Sequence, residues 1–212
     1  MAFDIDFSRY KLVDLSLEVV PNQAVPGRPF AVREGKLGDG TWKFDITDTH
    51  THVGTHVESP WHFYGKGKTC TDYPLEKFMG KAVLAAPKAA SDGWVHLDAV
   101  RAVLEPRKGR FSILVLRNDT DLRPLPFQMD CVFYFAELGI DLLIFDSTIE
   151  FGRGLDDGRT FHDALMRRDV LFVEFPANTK CLDRDEFFVF AVPLKIKGLD
   201  SSACRLFAVV ER

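Results

Sequence analysis

The sequence predicts a single α/β domain built on a mixed β-sheet with few helices. Its 212 residues and 24.0 kDa suit one domain, spanning residues 1–212, with enough chain for a sizeable core. Eight segments have the pattern of strands and three that of helices, and they alternate irregularly. A doubly wound parallel sheet would require regular alternation, so these observations favour a mixed sheet.

The strand predictions rest on short apolar runs bounded by polar residues, glycine or proline. The predicted strands cover residues 12–20, 42–50, 81–86, 111–116, 141–146, 170–175, 187–194 and 204–210. Residues 21–41 hold three prolines and four glycines, which is typical of a long loop or a weak hairpin. Residues 118–127 contain two prolines and predict another loop.

Three segments have the spacing of helices. Residues 97–104 carry apolar side chains at helical intervals and are followed by Pro106, which ends the helix. Residues 130–138 are followed by Gly139, a common residue just beyond a helix C-terminus. The third predicted helix covers residues 161–168. A capping pattern of Thr160 with Asp163 predicts that it begins there, with His162 in the first turn.

Composition excludes several functional classes. The chain is 46% hydrophobic and 27% charged with a net charge of −4, so no basic surface for nucleic acid is predicted. The apolar runs are too short to cross a membrane. The first residues lack a basic start and an apolar signal region, so we expect a cytoplasmic protein. Four widely separated cysteines indicate free thiols and not a disulfide framework or a thiolate zinc site.

Four of the six histidines fall between residues 50 and 62. Imidazole is the commonest protein metal ligand and a proton carrier near neutral pH, so this segment is the first candidate for chemistry. On an extended chain, His50 and His52 would share one face, and His56, Glu58 and His62 would share one beyond Gly54. We expect the chain to turn at Gly54, which tolerates unusual dihedrals, and then to run extended.

The segment His52-Val-Gly-Thr-His56-Val-Glu58-Ser-Pro-Trp-His62 resembles the signature of the cyclase-like metal-dependent hydrolases. This family includes bacterial kynurenine formamidases (arylformamidases) and isatin hydrolases. Its pattern is His-x-Gly-Thr-His-x-Asp-x-Pro-x-His, and this chain departs from it at one fixed position, where Glu58 replaces Asp. The likeness covers residues 44 to 176. It implies a swivelling β/β/α fold with a barrel-like mixed sheet.

The resemblance also implies a second pair of metal ligands, a histidine on a helix and a glutamate on the following strand. His162 and Glu174 fit these two places. An ionised glutamate in the apolar strand 170–175 is costly unless it is paired, and a metal ion would pair it. The implied metal ligands are therefore His52, His56, Glu58, His162 and Glu174. They would hold one or two divalent ions, Zn²⁺ or Mn²⁺, with Glu58 as the bridge.

His62 lies beyond these ligands and is our candidate for the catalytic proton carrier. The ion would lower the pKa of a bound water to about 7, and the resulting hydroxide would attack a carbonyl carbon. His62 would then protonate the leaving nitrogen as a general acid. The alternative for His62 is a third ligand or a residue that hydrogen-bonds a ligand.

Two further groups of residues are weaker candidates. Ligating imidazoles usually donate their other N–H to a nearby oxygen, and such supporting roles could fall to His50, Thr55, Asp146 and Asp48. Trp61, Phe63 and Tyr64 lie beside the histidines and could line a substrate pocket, although for each aromatic ring taken alone core packing is the better explanation.

The resemblance implies a hydrolase that cleaves the C–N bond of a small aryl formamide or cyclic amide. One alternative is a metal-dependent hydrolase, dehydratase or cyclase acting on a lactone or other cyclic ester. A second is a member that binds metal or a small molecule without catalysis. Family members are commonly homodimers or homotetramers, and residues 21–41 could reach a neighbouring subunit's site.

Overall fold

In a computed structural model that describes residue 6 and residues 8–23 and 28–212, the chain forms twelve strands and four helices. The strands are β1 Tyr10–Asp14, β2 Phe30–Lys36, β3 Trp42–Thr49, β4 His56–Glu58, β5 Met79–Ala85, β6 Ile113–Leu116, β7 Leu125–Phe127, β8 Leu142–Phe145, β9 Ile149–Phe151, β10 Leu171–Glu174, β11 Glu186–Pro193 and β12 Ser201–Glu211. The helices are α1 Pro60–Tyr64, α2 Leu97–Leu104, α3 Met129–Glu137 and α4 Gly154–Met166.

Seven strands close into a mixed β-barrel in the order β4–β12–β11–β5–β6–β8–β10, with β10 returning to β4. The neighbours β5, β6, β8 and β10 run parallel, whereas the pairs that involve β4, β11 and β12 are antiparallel. Strand β1 lies outside this ring on the long strand β12, beyond the part that pairs with β4. The predicted single α/β domain with a barrel-like mixed sheet and few helices is therefore confirmed.

The apolar strands are buried on both faces, which explains their continuous hydrophobic runs. In β6, Ile113 and Val115 face the barrel interior, while Leu114 and Leu116 belong to an outer core covered by helices. Phe135 of α3 and Phe161 of α4 lie in this outer core. The ring of Phe161 stacks on Phe172 of β10 at 4.6 Å. This packing fixes α4 against the strand that ends in Glu174.

Several sequence predictions need correction at their boundaries. The first strand ends at Asp14 and is followed by a single bridge at Ser16, not by a continuous strand to residue 20. The predicted loop 118–127 contains the short strand β7, because Leu125 and Phe127 are both buried and pair with β9. In the described part of the segment 21–41, residues 30–36 form β2, which pairs with β3 beyond that segment, so the segment contributes one strand of a hairpin and not a whole one. Residues 1–5, 7 and 24–27 lie outside the described residues. They include part of the segment 21–41 and most of the N-terminal residues from which a cytoplasmic location was predicted.

The prediction that α4 begins near Thr160 is wrong. The helix begins at Gly154, with Asp156 and Asp157 in its first turn, where acidic side chains favour the helix N-terminus. Thr160 lies inside the helix and its hydroxyl donates to the Asp156 carbonyl. His162 is therefore in the body of the helix. Gly158 obscured the earlier start, because glycine lowers helix propensity by about 1 kcal/mol relative to alanine.

Two glycines with the same backbone angle allow a test of how tightly the start of α4 is held. Gly152 and Gly139 both have φ of +70°. A Cβ at Gly152 would lie 2.4 Å from the Asp157 Cβ, whereas nothing lies within 4 Å of one at Gly139. We expect Gly139→Ala to cost about 1 kcal/mol through backbone strain alone. Gly152→Ala should cost a further ~1–3 kcal/mol through overpacking, measured by urea denaturation. Equal losses in both variants would contradict this view of the turn.

A helix that spans a membrane must be both long and apolar. None of the helices in the described residues combines the length and the apolar composition needed to cross a bilayer.

Candidate metal centre

Strand β4 carries two of the predicted ligands on one face. His56 and Glu58 are two residues apart, so their side chains point the same way. Strand β10 pairs with β4 in a register that sets Glu174 directly opposite His56. Opposed residues of an antiparallel pair share a face, and the Glu174 carboxylate lies 3.7 Å from the His56 Nε2 atom. The barrel thus brings together two predicted ligands that are more than a hundred residues apart in sequence.

The turn before β4 returns His52 to the same face. Gly54 has φ of +63°, as predicted for the turning point. His52 Nδ1 lies 3.1 Å from His56 Nε2 and 2.8 Å from Glu58 Oε1. His52, His56 and Glu58 are all almost completely buried. Three polar side chains therefore converge at one point in the protein interior.

Helices α1 and α4 bring the remaining histidines. The chain after Glu58 does not stay extended as predicted. Pro60 begins α1, because its fixed φ and missing N–H suit the first helical position. His62 on α1 approaches Glu58 Oε1 to 3.9 Å, and His162 on α4 approaches Glu58 Oε2 to the same distance. Four of the six residues predicted as metal ligands or proton carrier, all histidines, therefore surround the carboxylate of a fifth, Glu58, and the sixth, Glu174, contacts His56.

Glu58 lies at the centre of this arrangement. Only 3% of the residue is exposed, and its Oε2 atom has no hydrogen-bond partner among the described residues. A buried, unpaired carboxylate oxygen is costly. Burial raises the pKa of Glu58, but the hydrogen bond from His52 and the other imidazoles around the carboxylate outweigh it and hold the pKa well below its usual value. Glu58 is therefore an anion whose second oxygen is left for a cation.

The neighbouring groups respond to that charge. Burial lowers the pKa of His52, but its contacts with Glu58 and Asp200 raise the pKa above the ordinary value. For the carboxyl group of Glu174, burial raises the pKa, and the negative charge of Glu58 raises it further. A divalent cation at this point would lower both pKa values, because its positive charge favours the unprotonated forms that bind metal.

Backbone carbonyls fix the orientation of two imidazoles. His56 Nδ1 lies 2.9 Å from the Gly54 carbonyl oxygen, and His162 Nδ1 lies 2.7 Å from the Gly158 carbonyl oxygen. A carbonyl accepts only, so each Nδ1 carries the hydrogen when the ring is neutral. Each Nε2 lone pair then faces Glu58. This is how proteins usually orient a ligating imidazole.

The donor set suits a divalent cation. His52, His56 and Glu58 hold ligand atoms within 4.8 Å of one another, and so do Glu58, His62 and His162. Glu58 belongs to both groups, but the second group contains His62 where Glu174 was predicted, and Glu174 belongs to no such group among the described residues. Nitrogen and carboxylate donors without a thiolate suit Zn²⁺ or Mn²⁺. Together with the unpaired oxygen of Glu58, this donor set fits the metal that the sequence resemblance implies.

Asp200 is a site residue that the sequence reasoning missed. Its Oδ2 atom lies 3.1 Å from His62 Nδ1 and 3.1 Å from His52 Nε2, and Thr51 donates to its other oxygen. Burial raises the pKa of Asp200, but the bonds from the two histidines outweigh it and lower the pKa to about 2. One carboxylate oxygen therefore orients both rings. Asp200 lies just before β12 with no distinctive motif around it, so the sequence offered no signal.

The predicted supporting residues lie in different places. His50 accepts a hydrogen bond from the His52 amide and lines the cavity of the centre. Thr55 donates to the Phe175 carbonyl and accepts from the Leu17 amide, so it ties backbone segments together behind the ligands. Asp146 bonds Thr148 and Thr179 and contacts no imidazole among the described residues. Asp48 is exposed on β3. Asp200, not Asp146 or Asp48, accepts from the imidazoles.

The predicted aromatic residues lie along α1 near a groove. Phe63 stacks on His162 at 5.6 Å, while Tyr64 donates to Asp163 and Trp61 is partly exposed. A groove of about 400 Å³ lies between α1 and α4, lined by Phe63, Gly158, His62 and His162. It adjoins the 370 Å³ cavity of the metal centre, with which it shares both histidines. Phe63 lines this groove, whereas Trp61 and Tyr64 do not.

Comparisons with known proteins show which sequences and folds this chain resembles. Residues 13–148, well over half of the chain, match the family model described as putative cyclase. The kynurenine formamidases of Paracidovorax citrulli and Salinibacter ruber are 27% and 25% identical over 168 residues, which cover 73% of this chain and 74% of each relative. Isatin hydrolase A from Labrenzia aggregata shares the fold with a TM-score of 0.76 at 20% identity, covering 96% of this chain and 94% of that one. The chain belongs to the putative cyclase family.

Proposed function

We propose that this chain is a metal-dependent hydrolase that cleaves the C–N bond of a small aryl formamide or cyclic amide. The observation that carries the proposal is the buried Glu58 carboxylate, which has an unpaired oxygen and is surrounded by imidazoles. The two kynurenine formamidase relatives support the type of reaction and substrate.

His52, His56, Glu58, His162 and Glu174 would hold the cation or cations. When bound, a divalent ion such as Zn²⁺ supplies Lewis acidity and brings the pKa of a water molecule to about 7. The protein contributes rigid ligands. Burial and backbone hydrogen bonds keep His56 and His162 in place, and the hydrogen bond from His52 to Asp200 holds His52 with its Nδ1 atom toward Glu58.

His62 would carry the proton. Asp200 accepts from His62 Nδ1, so the neutral ring carries its hydrogen there and its Nε2 lone pair faces the centre. The Nε2 atom can take a proton from the attacking water as its oxygen bonds to the carbonyl carbon. The same atom can then give that proton to the leaving nitrogen as the C–N bond breaks. The ionised Asp200 stabilises the imidazolium that exists between these two transfers.

Metal removal tests this proposal. Protein stripped with a chelator should lose turnover of its substrate and regain it with Zn²⁺ or Mn²⁺, assayed on N-formylkynurenine, isatin and a small lactone. His96→Gln provides a control, because His96 pairs with Asp92 away from this centre. Turnover that survives complete metal removal would contradict the proposal. Bound metal with no turnover of any substrate would instead favour a binding protein.

A further inference from the structure

Arg28 lies where two cavities meet. It lines the metal-centre cavity, and it also lines an adjoining, largely apolar cavity of about 320 Å³. Leu17, Val20 and Phe30 contribute to the walls of the second cavity. Of the residues that line the metal-centre cavity, Arg28 is the one arginine or lysine. A permanent positive charge thus stands beside the site of the proposed chemistry.

The guanidinium group is held in place from two sides. Its Nη1 atom donates to the His52 carbonyl at 3.3 Å, and its Cζ atom lies 4.5 Å from the centroid of the Phe175 ring. Phe175 follows the proposed ligand Glu174 and has φ of +54°, a left-handed conformation that strains a non-glycine residue. Its ring also lies 5.8 Å from that of His56. The strained turn therefore places the aromatic support for Arg28 beside the ligands.

Most of the hydrogen-bonding capacity of Arg28 is unused. A guanidinium has five N–H donors, and among the described residues the side chain donates to one acceptor. Glu58, Glu174 and Asp200 line the same cavity, yet no carboxylate of a described residue lies within 4.0 Å of the guanidinium nitrogens. A structural arginine beside three carboxylates would be expected to pair with one. The free donors suit an acceptor that arrives from outside.

Charge identifies that acceptor as an anion. Three carboxylates, Glu58, Glu174 and Asp200, line the cavity and would repel an anionic substrate. Arg28 supplies the permanent positive charge that offsets this repulsion at the edge of the cavity. Its planar fork also matches the two oxygens of a carboxylate, which Arg binds better than Lys does. The adjoining apolar walls suit a hydrocarbon or aromatic body attached to that carboxylate.

We propose that Arg28 binds a carboxylate group on the substrate, so that the preferred substrate is an aromatic amide bearing a carboxylate. This inference rests on the proposed amide hydrolysis at the metal centre. Arg28 determines specificity and takes no part in bond cleavage.

Two substrates that differ by one carboxylate distinguish carboxylate binding by Arg28 from a general effect of Arg28 on turnover. Formanilide lacks the carboxylate that 2-formamidobenzoate carries. For Arg28→Gln, kcat/KM on 2-formamidobenzoate should fall about 10–100-fold, the effect of losing a charged hydrogen bond. The value on formanilide should stay within about twofold. Arg28→Lys should recover part of the loss, and Arg101→Gln on α2 should change neither value. Equal losses on both substrates, or no loss on either, would overturn the inference.

Binding provides a readout that does not depend on turnover. Calorimetry on the metal-loaded protein, with the metal content of each variant verified, should show benzoate binding weakened about 10-fold or more in Arg28→Gln. Benzamide binding should be unchanged. Equal benzoate binding in the wild type and Arg28→Gln would contradict the role of Arg28. If the wild type hydrolyses neither formamide, the proposed function is contradicted for this substrate class, while the benzoate comparison still tests Arg28.

Discussion

Replacing Glu58 with glutamine is expected to remove tight metal binding and with it all hydrolysis. Glutamine has nearly the same shape but no charge, and Glu58 contacts His52 and approaches His56, His62 and His162. Losing a residue that merely supports a ligand typically costs 10–100-fold in metal affinity, and Glu58 is proposed as the ligand shared by the site. We therefore expect a loss of at least about 100-fold for Zn²⁺, measured by competition with a chromophoric chelator.

Stability distinguishes loss of the metal from loss of the fold. The metal-free Glu58→Gln variant should still melt cooperatively, but at a lower temperature than the metal-free wild type, because the buried ion pair of Glu58 with His52 is lost. Added Zn²⁺ should raise the melting temperature of the wild type and not that of the variant. Glu58→Asp keeps the charge and restores the residue of the family pattern, so it should retain metal. Unchanged Zn²⁺ affinity in Glu58→Gln would rule out Glu58 as a ligand.

Replacing His62 with glutamine is expected to lower kcat while leaving the metal in place. Three histidines approach Glu58 Oε1, and His62 is the most exposed of them. Asp200 orients its ring. Positioned proton transfer of this kind typically contributes ~10²–10⁴ in rate, and glutamine cannot perform it. Metal content should remain equal to that of the wild type, measured by atomic emission on the same preparation used for the assay.

Asp200→Asn provides the matched comparison for His62. The amide can no longer serve as the ionised acceptor for His62 Nδ1, so we expect a smaller but clear loss of kcat with the His62 ring still present. Metal affinity should also fall, because His52 shares the same carboxylate oxygen. Full turnover in His62→Gln would contradict the proton-carrier assignment. Loss of metal in His62→Gln would instead identify His62 as a metal ligand, together with Glu58 and His162.

The candidate site residues around β4 could be predicted because their pattern is local. His52, His56, Glu58 and His62 lie within eleven residues, and the turn at Gly54 follows from its position between two strand-like segments. The pairing of β4 with β10 was not visible in sequence, since register depends on the closed barrel. His162 and Glu174 were placed by resemblance, and the structure brings both to the cluster although His162 lies in the body of α4 and not in its first turn.

The sequence contains no pattern from which Asp200 and Arg28 could be predicted as site residues. Each is an isolated charged residue on an irregular segment, without periodicity or a motif. Asp200 reaches the site because β12 pairs with β4 at Ser201 and Glu58, and Arg28 reaches it through contacts with the His52 carbonyl and the Phe175 ring. Both contacts exist only after long-range closure. The oligomeric state, and any contact of residues 21–41 with a neighbouring subunit, stay predictions.

The most direct test of the metal centre is anomalous diffraction from crystals of the metal-loaded protein, collected on both sides of the zinc or manganese absorption edge. The structure predicts a peak within about 2.0–2.2 Å of imidazole nitrogens of His52 and His56 and of a carboxylate oxygen of Glu58. A second peak would be bounded by Glu58, His162 and Glu174. A metal-loaded protein whose anomalous peaks all lie away from these side chains would contradict the account.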